Sequence, residues 1–369
     1  MKNLTTILIV DDSLIFRKIV QKCLDGEEDI QVIGSVRNGV KAIEFIKKQR
    51  PDLVTLDIEM PEMNGIQTLS AVQEINASNN HFAPIGVIML SAFTKKGADI
   101  TIKALEAGAF DFITKPEGND QQKNYSTLRR QLLAKIRYFT SRRIASQNKQ
   151  SPPAIVQPEE AVPEVKESKE PVLRITQTRY KAILIGVSTG GPRALMSVIP
   201  DLCQRTNVPI MIVQHMPPKF TESLAESLNS KCRFQVVEGC NNQLIQKEYV
   251  YIAPGGKHML VKKKGAEIIL HTNEDKPVHG CRPSVDVLFE SASHVYGADV
   301  IAVILTGMGT DGTEGLSYLK QRGVYVIAQD EASSVVWGMP GSAVRAGLVN
   351  DVQPLDKIAE CIANILKRV

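Results

Sequence analysis

Residues 7–13 read ILIVDDS: the apolar run at 7–10 stops abruptly on two carboxylates, Asp11 and Asp12. So short an apolar run with polar bounds predicts a strand buried on both faces, and a helical pattern follows at 14–24. The unit repeats. Apolar runs at 53–56, 85–90 and 110–113, with a weaker one at 31–35, alternate with helical patterns at 39–48, 65–75, 96–106 and 128–141. Such alternation predicts a parallel sheet covered by helices on both faces. It resumes at Tyr180, with strands expected at 182–187, 210–214, 249–253, 300–305 and 324–328. The chain therefore reads as α/β, with two doubly wound parallel-sheet domains.

Between them the composition changes. Residues 151–178 hold five prolines among glutamates and lysines, without apolar periodicity. Such a stretch buries too little surface to offset its ordering entropy, so a flexible linker is expected. The expected boundaries are 1–140 for the first domain, 141–178 for the linker and 179–369 for the second domain.

Composition removes several function classes. The 369 residues carry 44 basic and 40 acidic side chains, a net charge of +4, and no basic stripe, which argues against nucleic acid as a partner. No stretch of about 18 apolar residues exists to span a membrane, and the N-terminus lacks a signal-peptide pattern. The six cysteines lack CxxC or metal-ligand spacing, so reduced thiols in a cytoplasmic protein are expected. None stands in a strand-to-turn context with a nearby histidine, so a nucleophilic cysteine is not expected.

A parallel sheet gathers ligands at the carboxyl ends of its strands. In the first domain those ends carry Asp11 and Asp12, then Asp57, Ser91 and Lys115. Converging carboxylates suit a hard cation such as Mg²⁺, and a carboxylate beside the metal can attack a phosphoryl donor. Asp11 and Asp12 alone would read equally as caps of the following helix. The remaining strand ends decide for the phosphoryl site. The segments ILIVDDS, LDIEMPEMNGI, MLSA and DFITKP resemble the receiver domain of bacterial two-component response regulators, which has a flavodoxin-like fold. The resemblance covers residues 1 to about 125. It implies Asp57 as phospho-acceptor, Asp11 and Asp12 with Asp57 at the metal, Ser91 as switch hydroxyl, Phe112 as aromatic switch and Lys115 as phosphate contact. It also implies a cis bond between Lys115 and Pro116. Ser91 in place of threonine and a long polar loop at 77–82 depart from the usual pattern.

In the second domain, Gly186-Val-Ser188-Thr-Gly190 follows an expected strand and opens a helix, the form of a nucleophile elbow. The next strand ends on His215 and a later one on Thr306-Gly-Met308-Gly-Thr-Asp311-Gly. Serine, imidazole and carboxylate at neighbouring strand ends make an acyl-transfer constellation: His215 takes the Ser188 proton and Asp311 holds the ring. The amides of Met308 and, more weakly, Thr189 are the oxyanion candidates. Each residue also has a structural reading: Ser188 as a helix cap, His215 as a hydrogen-bonded strand end, Asp311 as a turn former. His258 and His279 compete for the role of base.

The segments GVSTGGP, VQHMP, IAPGGKHM, RPSVDVLFESA and LTGMGTDG resemble the catalytic domain of chemotaxis protein-glutamate methylesterases, a Rossmann-like serine hydrolase, over about 180–369. The resemblance implies Ser188, His215 and Asp311 as the triad. It implies γ-glutamyl methyl esters on the cytoplasmic helices of methyl-accepting chemoreceptors as substrate, methanol as product, and deamidation of receptor glutamines. The phosphodonor would be the chemotaxis histidine kinase; hydrolysis would need no cofactor, and the protein would be a monomer. Cys281, just before Arg282, is a departure. A non-catalytic response regulator and a nucleotide-binding GVSTGGP loop are the competing readings, distinguished by a serine-reactive phosphonate and by nucleotide-dependent thermal stabilisation.

Overall fold

The computed structural model describes residues 4–78, 82–148 and 180–367. The expected linker at 151–178 and the centre of the loop at 77–82 lie outside the described residues.

The first unit runs β1 (Thr5–Val10), α1 (Leu14–Leu24), β2 (Ile30–Val36), α2 (Gly39–Lys48), β3 (Leu53–Asp57), α3 (Gly65–Ser78), β4 (Gly86–Ser91), α4 (Lys95–Glu106), β5 (Asp111–Thr114) and α5 (Gln121–Asn148). Its strands pair in parallel in the order β2-β1-β3-β4-β5. The 7–10 run is wholly buried because helices cover both sheet faces. Helix starts follow from local chemistry: Ser13, Asn38 and Thr94 each accept a hydrogen bond from an amide three residues on. Helix α5 continues to Asn148, past the domain end expected at 140.

The second unit runs β6 (Ala182–Val187), α6 (Gly191–Arg205), β7 (Ile210–Gln214), α7 (Phe220–Asn229), β8 (Gln235–Glu238), β9 (Tyr249–Ile252), β10 (His258–Lys264), β11 (Glu267–Asn273), α8 (Val285–Tyr296), β12 (Val300–Ile304), α9 (Thr313–Gln321), β13 (Tyr325–Gln329), α10 (Met339–Arg345), β14 (Asp351–Gln353) and α11 (Ile358–Lys367). The main sheet is parallel, ordered β14-β13-β12-β6-β7-β9-β8. Its order reverses between β6 and β12, which places a crevice at their carboxyl ends. Strands β10 and β11 form a separate antiparallel hairpin that turns at Gly265, φ +63°. Met259, Val261 and Leu270 of that hairpin share a core with Leu288 and Phe289 of α8.

The expected cis bond at Lys115–Pro116 is trans; the cis X–Pro bond among the described residues is Arg282–Pro283. Trans is the default even before proline, and from it the Lys115 amide already donates to Ser91 O at 2.7 Å.

The two units touch through α4 and α7. The Phe112 and Phe220 rings stack 4.9 Å apart, and Phe93 adds a second ring 6.4 Å from Phe220. Around this apolar centre lie polar contacts. Ser223 Oγ donates to Asp99 Oδ1 at 2.6 Å, and Lys219 Nζ donates to Phe93 O at 3.0 Å. Lys95 Nζ lies 2.8 Å from Glu226 and 3.4 Å from Glu222, while Lys231 pairs with Glu106 at 2.9 Å.

Candidate active site

At the first sheet's edge, Lys115 Nζ bridges Asp11 Oδ2 at 2.8 Å and Asp57 Oδ1 at 2.9 Å. Burial pushes the Asp57 carboxyl up to about 6; Lys115 opposes that rise and the Asp11 charge adds to it. Burial pulls the Lys115 ammonium down, but its two carboxylate partners win and hold it above its ordinary value. Asp11, Asp12 and Asp57 each offer an oxygen within 4.8 Å of the others. Asp11 Oδ2 is buried and accepts no hydrogen bond, with the Lys115 ion pair as its contact. An all-oxygen set of this kind fits a hard divalent cation. Ser91 is not brought to this cluster. Its hydroxyl is fully buried, donates to Gly97 O at 3.2 Å and accepts from Thr101 Oγ1 at 2.8 Å, both in α4. Phe112 points instead into the contact with Phe220.

In the second unit, Ser188 leaves β6 on a tight turn. Its amide donates to Thr306 O at 2.9 Å, and its carbonyl accepts from Gly191 N at 2.8 Å and Gln214 Nε2 at 2.9 Å. Gly190 takes φ +76° at the start of α6, a left-handed conformation that glycine adopts without penalty. Gly307 is required for a different reason. A Cβ there would meet Ser188 Cβ at 2.8 Å and Met339 Sδ at 2.3 Å.

His215 follows β7, tied by its amide to Val187 O at 3.2 Å, and Asp311 follows β12. His215 Nε2 meets Asp311 Oδ2 at 2.6 Å. Asp311 is almost fully buried at the N-terminus of α8. Its Oδ2 also accepts from Val285 N at 2.8 Å, and its Oδ1 accepts from Ser284 Oγ at 2.8 Å and Asp286 N at 3.1 Å. An unpaired buried carboxylate would cost several kcal/mol; these donors and the helix dipole offset that penalty. Burial raises the Asp311 carboxyl, yet His215 and the α8 donors hold it well below its ordinary range. Burial pulls the His215 imidazole down, but hydrogen bonds and charges from Asp311 and Cys281 leave it raised to about 9. Next along α8, burial, opposed by the Gly315 amide and reinforced by Asp311, pushes Asp286 up to about 7.

The structure thus joins two of the three expected triad residues directly. Ser188 Oγ makes no hydrogen bond with a described residue, so the hydroxyl of the expected nucleophile is not engaged by His215 here. The amides of Met308 and Thr189 likewise donate to no described residue, and both residues are partly exposed. The competing bases stand elsewhere: His258 Nε2 contacts Lys276 O at 3.1 Å, and His279 Nε2 lies 3.3 Å from Asp286 Oδ2.

Sequence reasoning missed Ser284, the α8 amides, Gly307 and Cys281. The RPSVD segment after a glycine-rich turn signals a helix start, but only the fold aims that start at Asp311. The six cysteines are free thiols, as expected, but Cys281 gains a histidine neighbour through the fold: its Sγ lies 3.6 Å from His215 Nδ1, with the turn closed between Val278 and Cys281.

Two family models match the chain: a response regulator receiver domain over residues 7–125 and a CheB methylesterase domain over residues 183–362. The chain is 44% identical, over 100% of both sequences, to a protein named protein-glutamate methylesterase/protein-glutamine glutaminase from Desulfotalea psychrophila. It is 41% identical, over 98% of both, to one of the same name from Bacillus licheniformis. Among solved structures, the CheB methylesterase catalytic domain of Thermotoga maritima is 40% identical, covering 50% of this chain and 98% of that one, with a TM-score of 0.49.

Proposed function

The chain belongs to the protein-glutamate methylesterase/protein-glutamine glutaminase family, and we propose that Ser188, His215 and Asp311 carry its hydrolytic chemistry under control of the receiver domain. The observation that carries this reading is the 2.6 Å contact between His215 Nε2 and Asp311 Oδ2, made by the ends of β7 and β12 on either side of the strand that presents Ser188. With Nε2 held by Asp311, Nδ1 is the nitrogen left to accept a proton.

The reaction follows from those positions. Ser188 Oγ attacks the carbonyl carbon of a glutamyl γ-methyl ester as its proton passes to His215 Nδ1. The carbonyl oxygen becomes an oxyanion received by the free amides of Met308 and Thr189. The intermediate collapses, the C–O bond to methoxide breaks, and His215 returns the proton so that methanol leaves. Water, deprotonated by the same imidazole, then releases the glutamate carboxylate from Ser188. Receptor glutamines enter by the same acyl chemistry, with ammonia leaving. Asp311 keeps its charge throughout and stabilises the imidazolium.

At the receiver edge, Asp57 is the nucleophile for the phosphoryl group; Asp11, Asp12 and Asp57 are the residues that would hold Mg²⁺, which when bound would supply positive charge opposite the phosphoryl oxygens. Lys115 receives the acyl phosphate. The histidine kinase of a chemotaxis array is the proposed phosphodonor and the methylated cytoplasmic helices of chemoreceptors the proposed substrate, a reading that goes with a cytoplasmic location; a monomeric state is proposed separately. The domain boundaries proposed are 1–140 and 179–369, with α5 carrying the receiver into the intervening segment.

The contact between the units links the two sites. Helix α7, which receives Phe112 and Lys95, begins just after the loop that carries His215, so a docked receiver stands beside the substrate's approach. Phosphorylation at Asp57 shifts the balance between docked and released receiver. Methanol release from methylated receptor membranes, with and without acetyl phosphate, tests the whole reading; a phosphodonor that leaves the rate unchanged removes the control.

A further inference from the structure

Cys281 Sγ lies 3.6 Å from His215 Nδ1, while Asp311 Oδ2 holds the opposite nitrogen of the same ring at 2.6 Å. A tetrahedral ion bound to thiolate sulfur at ~2.3 Å and imidazole nitrogen at ~2.0 Å keeps those two atoms roughly 3.5 Å apart. The pair, in S–H···N contact without metal, is therefore spaced as two ligands of one ion. Asp311 completes the pattern. A metal-bound imidazole ordinarily gives its other ring N–H to a carboxylate, which fixes the tautomer and strengthens the ligand. Of the three clusters of potential metal-ligand side chains among the described residues, this one alone contains a thiol. Sulfur with imidazole selects a borderline-soft ion over Mg²⁺. Cys281 is half-buried and the His215 side chain is 12% exposed, so the pair can be reached from solvent.

We propose that Cys281 and His215 form an inhibitory binding site for Zn²⁺ or an ion of like softness, with Asp311 acting through the imidazole. Binding displaces the thiol proton and, where the ring is protonated, the Nδ1 proton of His215 to solvent, and water fills the remaining coordination positions. The ion occupies Nδ1, the nitrogen that must take the Ser188 proton, so metal binding and acyl transfer exclude each other. With only two protein ligands the site is reversible and regulatory rather than structural. Its inhibitory effect rests on His215 being the base; the binding itself does not.

The test uses the full chain in excess Mg²⁺, which saturates the receiver carboxylates. Co²⁺ serves as the spectroscopic probe. The difference between the native chain and Cys281→Ser should contain a near-ultraviolet thiolate-to-cobalt charge-transfer band, and Cys281→Ala should reproduce it. In the second arm Zn²⁺ is titrated against methanol release, each protein being referred to its own metal-free rate. Cys281→Ser and Cys281→Ala should need at least about tenfold more Zn²⁺ for half-inhibition, the loss expected when a metal site is degraded. A cobalt spectrum identical in native and variant chains overturns the site. A band that is lost while half-inhibition shifts by less than about twofold overturns the inhibitory role. Failure of the triad itself shows separately, as methanol release by Ser188→Ala, and leaves the cobalt arm readable.

Discussion

The Phe112 ring lies 4.9 Å from that of Phe220 and within 10° of parallel, so an aromatic side chain of the receiver sheet is seated on the first residue of a helix in the hydrolase. Phe220 is completely buried, which makes it too costly a position for testing the contact alone. Lys95 is better placed, since it faces Glu222 and Glu226 across the same junction from a partly exposed position. Lys95→Glu replaces attraction with repulsion while leaving both cores intact. It should raise unphosphorylated methanol release by about three- to tenfold, and less at high salt. An unchanged rate at low salt would show that the junction does not restrain the hydrolase.

Removing the nucleophile should be near-total in effect. Ser188→Ala and His215→Ala should each lower methanol release by about a thousandfold or more, and Asp311→Asn should lose most activity with the fold retained. Because members of a triad act as a unit, the double variant Ser188→Ala with His215→Ala should be scarcely worse than either single one. Additive losses would mean the residues act independently.

The pH dependence has a definite sign. His215 is raised from its ordinary 6.5 to about 9. Its neutral form, the form able to accept a proton, therefore grows only as pH climbs towards 9, and kcat/KM should rise through neutral pH with its midpoint on the alkaline side. Asp311→Asn should move that midpoint down towards 6.5, readable on whatever activity remains. For folding the sign is reversed. The charged pair stabilises fully below about pH 6.5, and that contribution fades as pH rises through about 9.

Gly307→Ala should inactivate without touching a catalytic atom. The added methyl would stand 2.8 Å from Ser188 Cβ and 2.3 Å from Met339 Sδ, so the elbow must shift. A displacement of about 1 Å costs on the order of a hundredfold in rate. Thermal unfolding should distinguish this from collapse, with a modest fall in Tm beside the large fall in kcat.

Acetyl phosphate with Mg²⁺ should label Asp57, and Asp57→Asn should abolish the label. Chelating Mg²⁺ should remove the label as well, because the carboxylate cluster needs its cation to face a phosphoryl donor. A label that peptide mapping places elsewhere refutes the assignment.

The apolar runs at 7–10, 182–187 and 300–304 were legible because helices cover both sheet faces and every residue in them is apolar for that reason. Strands β8 and β14 were not: each is short and lies at a sheet edge, where polar residues such as Gln235 and Asp351 break the pattern. The β10 and β11 hairpin was hidden by Lys262, Lys263 and Lys264, which crowd its outer end. The site divides similarly. The meeting of His215 and Asp311 was legible because strand ends converge, whereas Ser188 Oγ is not joined to them and Ser91 turns into α4 for Thr101, a choice made by packing. The approach of Cys281 to His215 depends on a turn between 278 and 281 that joins residues distant in sequence.

The acid lies 96 positions beyond its histidine along the chain. On a ribosome adding about 5–20 residues per second, nucleophile and base would be synthesised roughly 5 to 20 s before the group that orients them. Throughout that interval the nascent hydrolase is inert, while the receiver, complete long before, stands ready for α7 as soon as it emerges. Under the proposed control, birth order supplies a safeguard of its own: the domain that would restrain the hydrolase is made before the triad is complete.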